Sequence, residues 1–329
     1  MNEKEQIGEN AHKRLLGSVS TYNKRKRRSR LRWSLGLAMG FLLIGSSLYF
    51  GKLDIFNSKN ARHLVADFTS GQLTISNQQP IDISSIKESA DNLPVSILRE
   101  SNRMVIRTKN NLLAKDDSIS IHVDKGGFYQ VEFDDGTVAY LNSQTTLTYR
   151  GDFLEDRKIS LDGEAYFEVK SLYKADKRQP FTIYTNNQKV EVLGTSFNVK
   201  TRDQQEESVV LIEGKVQLQP HKNKHQTVLR PGEKASISSS GKIKVEPTDT
   251  ELYTAWKDGY FYYQDTLLKD ILEDLKNYYE IKYDPDKIPK LRYTLYLDRA
   301  LPFSQVIEYI EESSTIKIET HGKRIIFKN

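Results

Sequence analysis

The sequence contains no cysteine. A disulfide framework, a thiolate metal site and lipid attachment through a cysteine are all excluded. Methionine and tryptophan are scarce, at three and two residues, while Tyr (18) and Phe (13) are abundant. That bias suits half-buried pleated sheets better than a helical bundle. No glycine-rich phosphate loop and no nucleophile elbow occurs, which removes the commonest signatures of nucleotide and acyl-transfer chemistry.

The main body also lacks an excess of charge of either sign. The formal charge is +5, but residues 1–32 hold ten Lys and Arg against three Glu. The other 297 residues carry 39 basic against 41 acidic side chains. The high isoelectric point therefore belongs to the tail and does not imply nucleic-acid binding by the body.

One long uncharged run is present, from Trp33 to Gly51, nineteen residues between Arg32 and Lys52. As a helix it reaches roughly 28 Å, close to the hydrocarbon thickness of a bilayer. Trp33 stands at one end and Tyr49 and Phe50 at the other, as interfacial anchors do. The nine residues Lys24–Arg32 include seven basic ones, which places residues 1–32 in the cytoplasm and everything after Lys52 beyond the membrane. A cleaved signal peptide fits less well, because the preceding tail is long and no small-residue cleavage site follows. A single transmembrane helix over 33–51 is the expectation. Within the tail, Leu15, Leu16, Val19 and Tyr22 fall on one stripe of a short helix. Too short to bury a core, this stripe calls for a partner or a bilayer surface.

Residues 52–121 read as a β-rich lead-in, with a hairpin over Phe68–Ile75, a loop over Ser84–Asn92 and a strand over Met104–Thr108. From 122 to 247, short alternating runs are separated by Asp135-Gly136, Asp162-Gly163, Glu213-Gly214 and Gly241-Lys242. Such dipeptides predict hairpins, because tight turns need positive φ. The expected fold is an antiparallel sandwich or roll of ten or more strands. Residues 253–329 change character. Strand Gly259–Tyr263 leads to a helix capped by Asp265, with Leu268, Ile271, Leu272, Leu275 and Tyr279 on one face. Strands at Ile281–Tyr283 and Tyr293–Leu297 follow, then a second helix after Pro302 bearing Phe303, Val306, Ile307 and Ile310. Strands at Ile316–Ile318 and Arg324–Phe327 close a small split α/β module.

Acidic pairs are the obvious catalytic candidates. Asp134, Asp135, Asp162 and Glu164 sit at predicted turns, where turn formation explains them better than hydrolysis. His221 and His225 have a metal-like spacing but lie in a polar loop without a third ligand. No cofactor, metal site or direct nucleic-acid contact is expected.

Six blocks in order resemble the FecR domain of ferric-citrate-type sigma-factor regulators, in the versions found in Bacteroidetes. They are Gly126–Asn142, Arg157–Val169, Pro180–Ile183, Val192–Val199, Val210–Val216 and Leu229–Ala235. From Ala255-Trp256-Lys-Asp-Gly259 onward the chain is similar to the companion C-terminal domain, itself like the short N-terminal domain of secretins and TonB-dependent receptors. The resemblance implies a single-pass inner-membrane signal transducer with a periplasmic bulk. Its partners would be an extracytoplasmic-function sigma factor on the cytoplasmic side and the signalling domain of a TonB-dependent outer-membrane receptor on the other. The tail stripe then becomes the candidate sigma-factor contact, and Tyr260, Tyr262 and Tyr263 candidate receptor contacts. Adjacent strand positions face opposite ways, so not all three tyrosines can enter a core. In some members of the family the bond equivalent to Gly194-Thr195 cleaves itself, by attack of the threonine hydroxyl on the preceding carbonyl. The alternative is that Gly194 permits a bend and Thr195 restarts a strand. A second functional class also fits these features: a membrane-anchored periplasmic scaffold that engages a secretin or outer-membrane complex without a transcriptional role.

Overall fold

Period-two alternation becomes two large sheets. The computed structural model describes residues 70–86, 93–100, 103–109, 112–201, 206–223 and 225–328. The expected span 33–51 and the stripe Leu15, Leu16, Val19 and Tyr22 lie outside the described residues. Among the described residues no helix is long and apolar enough to cross a membrane.

The chain begins with β1 (Gly71–Ile75), β2 (Ile81–Asp82), β3 (Val95–Glu100) and β4 (Arg103–Thr108). Next come β5 (Ser118–Val123), β6 (Tyr129–Glu132), β7 (Val138–Leu141) and β8 (Thr145–Arg150). A single helical turn, α1 (Phe153–Asp156), precedes β9 (Lys158–Asp162), β10 (Glu164–Glu168), β11 (Leu172–Lys174) and β12 (Lys177–Gln179). The remaining strands of the sandwich are β13 (Phe181–Tyr184), β14 (Gln188–Val192), β15 (Ser196–Lys200), β16 (Glu206–Glu213), β17 (Val216–Pro220), β18 (Thr227–Leu229), β19 (Glu233–Ser238) and β20 (Ile243–Pro247).

One sheet has nine strands in the order β18-β17-β14-β13-β9-β8-β5-β1-β2. The other also has nine, ordered β20-β19-β16-β15-β10-β7-β6-β4-β3, and β11-β12 form a separate ribbon. The inner faces of both sheets contribute to one continuous core. In β5, Ile119, Ile121 and Val123 point inward while Ser118, Ser120 and His122 face out. Each such fully buried aliphatic side chain contributes about 1.5–3 kcal/mol. An aromatic cluster fills the centre, where Phe133 stacks on Phe153 at 4.8 Å and meets Tyr149 edge-on at 5.4 Å.

The lead-in strands are part of this sandwich: β1 and β2 extend one sheet and β3 and β4 the other. Gly71, expected to turn a hairpin, is instead inside the ladder opposite Val123. Ser84 belongs to a short 3₁₀ turn, Ile83–Ser85, rather than to a plain loop. Two strand pairs depart from the antiparallel expectation. β4 runs parallel to β6, and β9 parallel to β13. In each case the intervening chain visits the opposite sheet, as a parallel pair requires a crossover.

Of the four glycine turns, Asp135-Gly136 and Gly241-Lys242 close hairpins, β6–β7 and β19–β20. Asp162-Gly163 and Glu213-Gly214 instead carry the chain from one sheet to the other. Gly163 has φ +125°, and a Cβ there would lie 2.6 Å from Thr145 Cα. Gly163→Ala is therefore expected to cost at least about 2 kcal/mol, from backbone strain added to overpacking. A shift in the urea midpoint corresponding to less than a quarter of that would show that the corner can relax.

Two compact units are present among the described residues: Leu64–Ile281 with Pro289–Phe303, and Lys282–Ile288 with Ser304–Asn329. In the first, β21 (Tyr260–Leu267) pairs with β22 (Arg292–Asp298), and α2 (Leu268–Leu275) lies between them in sequence. The expected stripe Leu268, Ile271, Leu272 and Leu275 is buried, while Tyr279 is buried beyond the helix end. Asp265 does not cap this helix. Thr266 and Leu267 continue the ladder, so Asp265 sits in a bulge at φ +44° and pairs with Arg292 at 2.9 Å. In the second unit, α3 (Phe303–Glu312) begins after Pro302, and β23 (Lys317–His321) pairs with β24 (Arg324–Lys328). The expected strand at 281–283 reduces to one parallel bridge between Lys282 and Arg324.

Candidate functional site

After β20 the chain makes two 3₁₀ turns, Thr250–Tyr253 and Ala255–Asp258. Asp249 starts the first by accepting from Glu251 N at 3.0 Å. The second turn buries Trp256 against the sandwich, edge-on to Phe128 at 5.9 Å and clustered with Tyr166. Its indole Nε1 donates to Tyr253 O at 3.0 Å and to Asn198 Oδ1 at 3.3 Å. Lys257 lies over the Tyr166 ring at 5.2 Å, a cation held against the same cluster.

Arg299, just past β22, completes a closed ring. Its backbone N–H donates to Gly259 O at 2.9 Å, which fixes the residue beside the second 3₁₀ turn. Nη2 donates to Asn142 Oδ1 at 2.8 Å and Nη1 to Trp256 O at 3.3 Å. The guanidinium lies over Tyr278 at 4.1 Å and Phe261 at 5.1 Å. Asn142 Nδ2 donates to Glu164 Oε2 at 2.9 Å, and Asn198 Nδ2 to Glu164 Oε1 at 3.2 Å. The order Arg299–Asn142–Glu164–Asn198–Trp256 returns to Arg299, and all five residues are buried. A cation and an anion are thus bridged by an amide instead of touching. Around the ring, the Ser143 hydroxyl donates to Asn277 O, and Lys200 Nζ lies 3.9 Å from Glu164 and 3.7 Å from Asp274. Tyr263 OH donates to Asp274 Oδ2 at 2.8 Å, and burial pushes its pKa well up, so it is a neutral donor.

The receptor-contact candidates divide by face. Tyr263 is buried with Phe261, whereas Tyr260 and Tyr262 are half-buried on the opposite side of β21. There Tyr296 stacks on Tyr260 at 4.8 Å and meets Tyr262 at 5.5 Å. Tyr263 therefore presents no surface to a partner in this arrangement.

Gly194 has φ +150°, and a Cβ there would run into Ser171 Oγ. The Thr195 hydroxyl donates to Lys215 O at 2.9 Å and accepts from Lys215 N at 3.4 Å. Both of these partners are backbone atoms, and a nucleophilic hydroxyl needs a base within hydrogen-bond reach. Of the acids, Asp135 forms a buried ion pair with Arg157 at 2.7 Å, and Asp162 accepts from Thr201 Oγ1 at 3.3 Å. Glu164 is a strand residue of the ring, not a turn residue. His221 contacts Thr185 O at 3.0 Å through Nε2, and His225 is exposed. Asn142, Asn198, Trp256 and Arg299 were not singled out by sequence pattern. Arg299 directly follows the exposed Asp298 at the end of β22, so nothing local marks it as buried.

Residues 119–217 match the family model described as FecR protein, and residues 260–327 match the model described as FecR, C-terminal. Two crystal structures of a candidate anti-sigma factor from Parabacteroides distasonis ATCC 8503, at 2.50 and 1.65 Å, are similar to this chain. Each shares 29% identity, covers 64% of this chain and 98% of its own, and superposes with a TM-score of 0.55. No curated protein matches the sequence. Asn142, Glu164 and Asn198 fall in the first matched region, Arg299 in the second, and Trp256 between them.

Proposed function

The chain belongs to the FecR family, and from that premise we propose that it regulates an extracytoplasmic-function sigma factor across the inner membrane. The observation that carries this reading is the pair of family regions in order, joined to a 29% likeness over nearly the whole of a candidate anti-sigma factor. In this reading residues 33–51 span the membrane, and the tail presents Leu15, Leu16, Val19 and Tyr22 to the sigma factor. The uncharged run and its basic flank support that orientation. The sandwich and residues 253–329 face the periplasm, where the signalling domain of a TonB-dependent receptor meets the half-buried Tyr260 and Tyr262. The relay needs no cofactor and no turnover, and Gly194-Thr195 serves as a bend between β14 and β15.

Full-length protein purified from membranes should carry the cognate sigma factor, and protein lacking residues 1–23 should not. Retention of the sigma factor by the truncated chain would move the contact out of the tail. Its absence from the full-length protein, under both inducing and non-inducing conditions, would favour the periplasmic scaffold instead.

A further inference from the structure

The buried ring joins the two family regions through side chains, and its chemistry suits a contact that opens. Lobes meant to stay joined are sealed mainly by apolar surface; here the aromatic seat of Trp256 is joined by a buried guanidinium, a carboxylate and two amides. Two of the links cross the junction, and the Glu164 carboxylate stays satisfied within the sandwich by Asn142 and Asn198. Arg299 Nη2 needs Asn142 at 2.8 Å, and the Trp256 indole reaches Asn198 at 3.3 Å. Arg299 Nε is buried without a hydrogen-bond partner, so the closed form holds one donor that water would satisfy on opening. Losing the Arg299–Asn142 link while the guanidinium stays buried takes a partner from a buried charge, which disfavours arrangements between closed and open.

We propose that this ring is a latch. Closed, it holds β21, α2 and β22 on the sandwich; a partner that binds the C-terminal region opens it, and the change in the sandwich is the transmitted signal. This rests on the regulatory reading above. Arg299 and Asn142 are positioning residues in it, and neither is a partner contact.

The test uses the full-length chain in lipid nanodiscs for hydrogen exchange, and in cells for a sigma-dependent reporter. In Asn142→Ala, amides of residues 255–275 should exchange at least tenfold faster while β10 and β15 keep their wild-type protection. Reporter output without inducer should shift at least fivefold towards the induced level. Arg299→Lys, which keeps the charge but not the fork that reaches both acceptors, should shift both readouts in the same direction and serves if the first variant does not fold. Unchanged exchange in residues 255–275 in both variants overturns the latch. Faster exchange with an unmoved reporter also overturns it, and makes the ring a structural seal. Deleting the whole gene is the separate control: if that leaves the reporter unchanged, the regulatory reading fails, and the signalling role of the latch with it.

Discussion

Replacing Arg157 by methionine is expected to destabilise the sandwich by about 3–5 kcal/mol, the usual result of breaking a buried ion pair from one side. Both partners are inaccessible, with side-chain exposures of 1% for Arg157 and 0% for Asp135. Arg157 Nε donates to Asp135 Oδ2 at 2.7 Å, Nη1 to Gln179 O at 2.9 Å, and Nη2 to Lys170 O at 2.7 Å. Methionine fills similar space and supplies no donor, so two carbonyls lose this donor and the Asp135 carboxylate keeps only the Thr137 N–H and hydroxyl, with no countercharge. The residue also closes α1, with its N–H on Phe153 O at 2.7 Å and φ +50°, but that backbone role survives the substitution. Arg157→Lys should cost less than methionine yet still be clearly destabilising, because one ammonium cannot span acceptors arranged for a guanidinium fork. Adding Asp135→Leu to Arg157→Met should recover part of the loss, since the stranded anion goes with it. Urea unfolding followed by circular dichroism reads all three. A single Arg157→Met variant within about 1 kcal/mol of wild type would mean that water reaches the pair.

The turn signals show what local sequence carries and where it stops. Asp-Gly and its relatives specify a backbone with positive φ, and all four glycines adopt it. They do not specify the partner of the next strand. After Gly136 and Gly241 the chain folds back on its own sheet; after Gly163 and Gly214 it crosses to the other, because the facing core residues lie there. The two parallel pairs were hidden for the same reason: each depends on a long detour through the opposite sheet that no local pattern encodes. Asp265 shows tertiary context overriding a cap. Its spacing to the helical stripe was suitable, yet Thr266 and Leu267 gained ladder partners in Tyr293 and Arg292, and the helix started later.

The candidate site was legible only in part. Alternation along β21 correctly implied that its tyrosines divide between two faces, and Tyr263 is the one taken inside. Asn142 and Asn198 carry no such signature, since an asparagine in a buried amide bridge reads locally like one in a turn. Glu164 follows a glycine and has the local pattern of a turn acid, although β10 places its carboxylate between those two asparagines. A ring of five residues spread over nearly 160 positions has no sequence period, and only the folded chain brings it together.

Trp256→Ala should cost about 3–5 kcal/mol, the range for removing a large buried aromatic. Trp256→Phe should cost only about 1–3 kcal/mol, the penalty for leaving a buried acceptor without its donor. The comparison separates two contributions that the geometry combines. The indole is edge-on to Phe128 at 5.9 Å, and a phenyl ring keeps much of that contact. The N–H that reaches Asn198 Oδ1 at 3.3 Å and Tyr253 O at 3.0 Å is lost in both variants. The link from Arg299 Nη1 runs to the Trp256 backbone carbonyl, so neither substitution removes that acceptor. If packing dominates, alanine is much worse than phenylalanine; if the hydrogen bonds dominate, the two variants converge. Packing should win, because apolar ring area outweighs two shared hydrogen bonds, one of them long. Unfolding measured by circular dichroism avoids relying on the fluorescence of the residue being changed. Equal losses for alanine and phenylalanine would assign the anchoring of residues 255–258 to the polar ring instead of to the aromatic seat.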